Sequence, residues 1–88
     1  MTRILVSPAA RAARAGDDLV LLHLERGRYS TLNETGALLW ERIEDGATLG
    51  ELRDALVEAF EVDEETAWRD VVELVGELEA EGLIVLEE

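Results

Sequence analysis

The stretch "LVLLHLERGRYSTLNETGALLWERIEDG", Leu19 to Gly46, changes its hydrophobic period at Asn33, and that change limits the fold more than any other feature. Before it, "LVLLHL" is apolar on both faces, too short for an ordinary helix and bounded by turn residues, which predicts a largely buried strand. Gly27 supplies the positive φ a short hairpin loop needs, so "RYSTL" returns as an antiparallel strand. After Asn33 the period is about 3.6. Asn33 is a good N-cap, and Leu39, Trp40 and Ile43 share one helical face that ends before Gly46.

Two more helices follow. Thr48-Leu49-Gly50-Glu51 is a capping box, and Leu52, Leu56, Ala59 and Phe60 repeat at three and four residues behind it. Asp63, Glu64 and Glu65 place acids where a helix dipole favours them, at the start of the longest helix. Trp68, Val71, Val72, Val75 and Leu78 give it a wide apolar stripe, and Gly82 stops it before "LIVLEE", a short strand or packed coil. Upstream, Ile4-Leu5-Val6 predicts a first strand stopped by Ser7-Pro8. "AARAARAGDD" reads as a crossing loop, with a single helical turn after Pro8 as the alternative. The expectation is an α+β fold: a three-stranded antiparallel sheet followed by three helices, a winged helix-turn-helix plan over one domain, residues 1–88.

Composition excludes most chemistry. Eighty-eight residues suit one modest core. With no Cys and one His, zinc fingers, disulfide scaffolds, thiol nucleophiles and His relays lack their parts. No metal or other cofactor is expected, and Ser30 and Thr31 have no base placed to activate them. The chain has neither a secretory h-region nor a run long enough to span a bilayer, so a cytoplasmic protein that meets no membrane is expected. The charge is lopsided. Residues 1–32 hold five Arg against three acids, +2, while residues 33–88 hold three Arg against eighteen acids, −15, for the net −13. The third helix, which would enter a major groove, carries Asp70, Glu73, Glu77, Glu79 and Glu81 against Arg69. A phosphate backbone would be repelled, so no nucleic acid is expected. The acids are either a solvated face or a surface for a basic peptide.

The strings "LNETGALLWERIEDG", "TLGELRDAL" and "RDVVELVGELEAEGLI" resemble the PqqD-like family, recognition elements for ribosomally made, post-translationally modified peptides (RiPPs). The resemblance covers about residues 3 to 86. It is carried by Leu-Asn-x-Thr-Gly at Leu32 to Gly36, by Trp40, by Asp70-Val71 and by Gly82-Leu83. Free-standing members of this size look most like the discrete proteins of lasso-peptide clusters. The resemblance implies a non-enzymatic protein, a peptide chaperone that binds a precursor's leader segment and presents it to a leader peptidase and a cyclase. It also implies where: an added strand along the third strand, in the groove made with the third helix. The residues this points to are Arg28, Tyr29, Ser30, Thr31, Leu32, Trp68, Asp70, Val71, Leu74, Glu77 and Leu78.

The residues make that mode reasonable by themselves, because a strand that ends a sheet leaves backbone groups that an extended peptide can pair. Tyr29 and Thr31 alternate with Arg28, Ser30 and Leu32; Leu32 is expected to point inward, and which set meets a peptide stays open. Trp40 and His23 read as structural. Trp68 reads as core or site, and Asp70 as a solvated acid or a partner for a basic leader residue. Gly76 reads as close approach or tolerated drift. A monomer is expected, with a strand-swapped dimer as the alternative that exposed edges allow. The competing function is an acidic winged-helix adaptor or DNA-mimicking regulator.

Overall fold

The computed structural model describes residues 2–88. Its elements run β1 (Arg3–Val6), β2 (Ala10–Ala15), β3 (Asp18–His23), β4 (Arg28–Leu32), α1 (Glu34–Glu44), α2 (Leu49–Phe60), α3 (Glu64–Ala80) and β5 (Ile84–Glu87). The α+β plan of an antiparallel three-stranded sheet and three helices is the one expected, but the sheet's membership differs. Its order is β2-β3-β4, while β1 pairs with β5 in a separate two-stranded ribbon.

The expected crossing loop, with its helical alternative, is therefore corrected to a strand. Arg11 to Ala15 are exposed, and β2 is made only of Ala and Arg, so neither alternation nor β-propensity marks it. What closes it onto β3 is the two-residue loop Gly16-Asp17, in which Gly16 takes φ +67° and Asp17 stays negative, the pattern of a type II′ hairpin. The terminal "IVLE" is a strand because β1 gives it a partner, Val6 facing Ile84 and Arg3 facing Glu87.

The helix boundaries follow from their caps. The Asn33 side chain accepts from the Gly36 N–H at 3.0 Å, and Thr48 and Glu51 satisfy each other's backbone N–H in a complete capping box. Asp63 accepts from the Thr66 N–H at 2.7 Å; hydrogen bonding to Thr66, with the Arg69 charge nearby, holds its carboxyl below the ordinary 3.8.

One core joins the elements. Trp40, Leu39 and Ile43 of α1, Leu52 and Leu56 of α2, Val71 and Leu78 of α3, Ile4 of β1 and Leu21 of β3 are essentially inaccessible. Trp40 is thus core, as expected, though its indole N–H has no partner among the described residues. His23 is buried too: its Nδ1 accepts from the Arg26 N–H at 3.1 Å, and its Nε2 lies against Gly82. Gly76 faces open space, which removes the close-approach reading. Among the described residues, no helix is long and apolar enough to cross a membrane.

Candidate functional site: the open edge of β4 beside α3

β4 is an edge strand, and the pairing shows which of its backbone groups are free. The Leu24 N–H donates to the Ala9 carbonyl at 2.8 Å, which makes Leu24–Ala9 a hydrogen-bonded pair between β3 and the start of β2. In an antiparallel ladder the bonding side alternates, so Leu22, Val20 and Asp18 also bond toward β2; the tight Ala15–Asp18 closure agrees. The intervening Leu19, Leu21 and His23 therefore bond toward β4, opposite Leu32, Ser30 and Arg28. Tyr29 and Thr31 are left with their N–H and C=O groups directed at the open edge.

Side chains sort by the same alternation. Leu32 is buried and Ser30 half-buried on the helix side, opposite the buried Leu19 and Leu21. Tyr29, 71% exposed, and Thr31 lie on the outer face. Leu32 pointing inward matches the expectation.

The Leu-Asn-x-Thr-Gly junction explains how the edge is held next to a helix. Leu32 anchors the strand in the core, Asn33 starts α1 in the next residue, and Gly36 lets the first turn close on the strand. A Cβ at Gly36 would sit 3.1 Å from the Leu32 Cβ, tighter than ordinary packing allows. The first turn of α1 then forms one wall of a cavity of about 310 Å³, lined by Asn33, Thr35, Gly36 and Leu39 and, from α3, Asp70, Glu73, Leu74 and Glu77. A smaller cavity, about 50 Å³, lies at the other end of β4, where Arg26, Arg28 and Ser30 meet Ala80 and Glu81. The Ser30 hydroxyl donates to Glu81 at 2.8 Å and ties strand to helix there. β4 and α3 thus flank a channel whose chemistry changes along its length.

The candidate residues divide accordingly. The structure gathers Asp70, Leu74 and Glu77 in the larger cavity and Arg28 and Ser30 in the smaller one, while Tyr29 and Thr31 lie on the outer face of β4 and line neither. Val71 and Leu78, named from sequence as site residues, are instead core at 0% and 1% exposure, and with Leu32, buried as expected, they support the channel from beneath. Trp68 is corrected as well. At 100° per residue it lies on the far flank of α3 from Asp70, Leu74 and Glu77, where with Val72, Glu65, Arg69 and Glu73, the last shared with the larger cavity, it lines a second cleft and takes the Arg53 guanidinium 5.7 Å from its ring centroid. Sequence reasoning missed Asn33, Thr35, Gly36, Glu73, Glu81 and Arg26 as site residues. The junction motif itself was the signal for the first three, since a strand and a helix meeting without a loop must share whatever lies between them.

The family model for coenzyme PQQ synthesis protein D (PqqD) matches residues 18–84, which include all of this channel. The chain belongs to the PqqD family. Among solved structures, it is similar to one described as TbiB1 in complex with the TbiA(beta) leader peptide, with 32% identity, TM-score 0.85, and coverage of 91% of this chain and 93% of that one. It is also similar to a lasso peptide synthetase B1 complexed with the leader peptide, with 30% identity, TM-score 0.83, and coverage of 93% and 96%. A comparison with curated proteins finds no match.

Proposed function

We propose that this protein binds the leader segment of a ribosomally synthesised precursor peptide, of the lasso class, by adding it as a strand to the free edge of β4 beside α3. The observation that carries the reading is the edge itself: Tyr29 and Thr31 direct unpaired backbone groups to the open side of the sheet, and a cavity walled by α3 opens where β4 runs into α1. Backbone pairing supplies affinity that does not depend on sequence, and the channel's side chains supply selection. β2 is the sheet's other edge, but it carries Arg11 and Arg14, charges of the kind that blunt an edge, and Arg14 is paired with Glu41 of α1. The two leader-bound relatives support the same reading.

Residues 1–88 then act as one peptide-recognition unit, a monomer in the cytoplasm that performs no chemistry of its own. It holds the leader so that a leader peptidase and a cyclase meet the segment that follows. The test is fluorescence polarisation with a labelled lasso-precursor leader, with amide shifts mapped in parallel. Saturable binding with the largest shifts at Tyr29, Thr31 and the first turn of α1 is expected. A protein that ignores extended peptides but binds a folded basic protein would overturn the proposal in favour of an acidic adaptor.

A further inference from the structure

The channel is electrically polarised along its length. At the end where β4 runs into α1, Asp70, Glu73 and Glu77 line the larger cavity with no Lys, Arg or His among its lining residues. At the other end Arg26 and Arg28 face Glu81, which is already hydrogen-bonded to Ser30. Among the described residues the ion pairs are Arg14–Glu41, Arg53–Asp54 and Arg69–Glu65, so none of Asp70, Glu73, Glu77, Arg26 or Arg28 is neutralised within the chain. The positive end of the α1 dipole opposes the acidic cluster only in part: it is worth roughly half a charge, and Glu34 already sits in that first turn. The larger cavity therefore stays net negative and the smaller one net positive.

Resting on the leader-binding reading, we propose that this polarity sets the sequence and direction of the bound strand: a Lys or Arg over Asp70, Glu73 and Glu77, an apolar residue over Leu74, and an Asp or Glu beside Arg26 and Arg28. Side chains on one face of a strand recur every second residue, at about 6.6 Å. β4 covers the distance from Arg28 to Leu32 in four steps, so the basic and acidic ligand positions lie about four residues apart, and because Leu74 lines the same cavity as the three acids the apolar position neighbours the basic one. For a strand pairing antiparallel to β4, the commoner arrangement, the N-terminal end lies at the acidic cavity. The recognised pattern is then a basic residue with an apolar one beside it, followed about four residues later by an acidic one, read from N- to C-terminus.

The test is selection from a displayed library of short random peptides on the immobilised protein, at low and at high salt, with the Glu73→Lys/Glu77→Lys double variant in parallel. Both glutamates are exposed, so the variant keeps the fold, checked by circular dichroism. Enriched peptides should carry the ordered pattern. Reversing their charge order should weaken binding about threefold to tenfold at low salt and less at high salt, as expected for a few partly exposed pairs. The double variant should prefer an acid at the first position. Enriched peptides that shift the Tyr29 and Thr31 amides but show no charge order, or the same order with both proteins, overturn the polarity proposal and leave strand addition standing. No enriched peptide at all, or none that moves those amides, overturns strand addition and the polarity proposal with it.

Discussion

Proline at three adjacent positions of β4 should give opposite outcomes, because the ladder alternation gives each backbone N–H one direction. The Ser30 N–H faces Leu21, inside the sheet. Ser30→Pro removes that donor, strands a carbonyl that β3 has directed inward, and presses the ring against the neighbouring strand. An unsatisfied buried acceptor alone costs about 1–3 kcal/mol. Since a domain of this size is stable by roughly 5–10 kcal/mol, a marked fall in melting temperature is expected. Tyr29→Pro and Thr31→Pro remove donors that face the open edge, where proline is tolerated, so amide spectra and melting temperature should change little. Their effect falls on the leader. Each forfeits one hydrogen bond to the added strand, about 0.5–1.5 kcal/mol or roughly twofold to tenfold in Kd, and the ring's bulk toward that strand increases the loss. Peptide titration reads affinity, while amide spectra and thermal melting read the fold. A stable Ser30→Pro protein with weakened binding, or an unfolded Tyr29→Pro and Thr31→Pro pair with a sound Ser30→Pro, would show the pairing parity to be the reverse. Full leader affinity in both outer variants would refute strand addition at β4.

Leu74, half-buried in the channel, should lose leader affinity at least about tenfold as Leu74→Glu with the protein still folded, whereas buried Leu78→Ala should cost about 2–5 kcal/mol of stability through the cavity it leaves. Trp40→Ala should cost about 3–5 kcal/mol by urea titration, and Trp40→Phe much less, because phenylalanine keeps most of the buried ring while removing an indole N–H that has no partner. Asp63 carries a carboxyl with a lowered pKa, so its charge stabilises the fold above the ordinary 3.8 and that contribution fades as pH falls through the lower folded value. The stability difference between the native protein and Asp63→Asn should therefore be constant near neutrality and shrink only below about pH 4; a difference independent of pH would rule out a role for the charge.

What was legible in the sequence was what rests on local chemistry. Asn33, Thr48-Glu51 and Asp63 set helix starts through hydrogen bonds made within three residues; the first two are seen as read, while Asp63, read as an acid favoured by the helix dipole, is itself the cap. The hairpin of β3 and β4 is announced by a buried apolar run and by Gly27. β2 escaped because an exposed edge strand of Ala and Arg buries almost nothing, so its pairing is fixed by its neighbour and by one two-residue turn. The dipeptide Gly16-Asp17 was the available signal, and it was outweighed by poor strand propensity on its N-terminal side. β1 and β5 show the complementary case, since both read as apolar runs but their pairing spans nearly the whole chain, and nothing local specifies it. On α3 the width of the apolar stripe was plain, but not its division. Val71, Val75 and Leu78 face the core, Leu74 the channel, and Trp68 with Val72 a separate cleft. That division depends on how far α3 is rotated against α2 and the sheet, a property of packing rather than of the helix.

The same dependence explains why a chain so poor in chemical groups can still carry a site. An edge strand is ordinarily a hazard, because its unpaired groups accept any extended chain. Here the hazard is narrowed by position. Gly36 and Asn33 bring α1 against the end of β4 with no intervening loop, and Ser30 and Glu81 fasten the other end to α3, so the open edge is held between two fixed points. An extended segment added to that edge would have its side chains read by Leu74 and by the charges at either end. Under the proposed strand addition, recognition would reside in backbone groups that two anchored junctions keep exposed, and such a site needs no residue type that composition alone would single out.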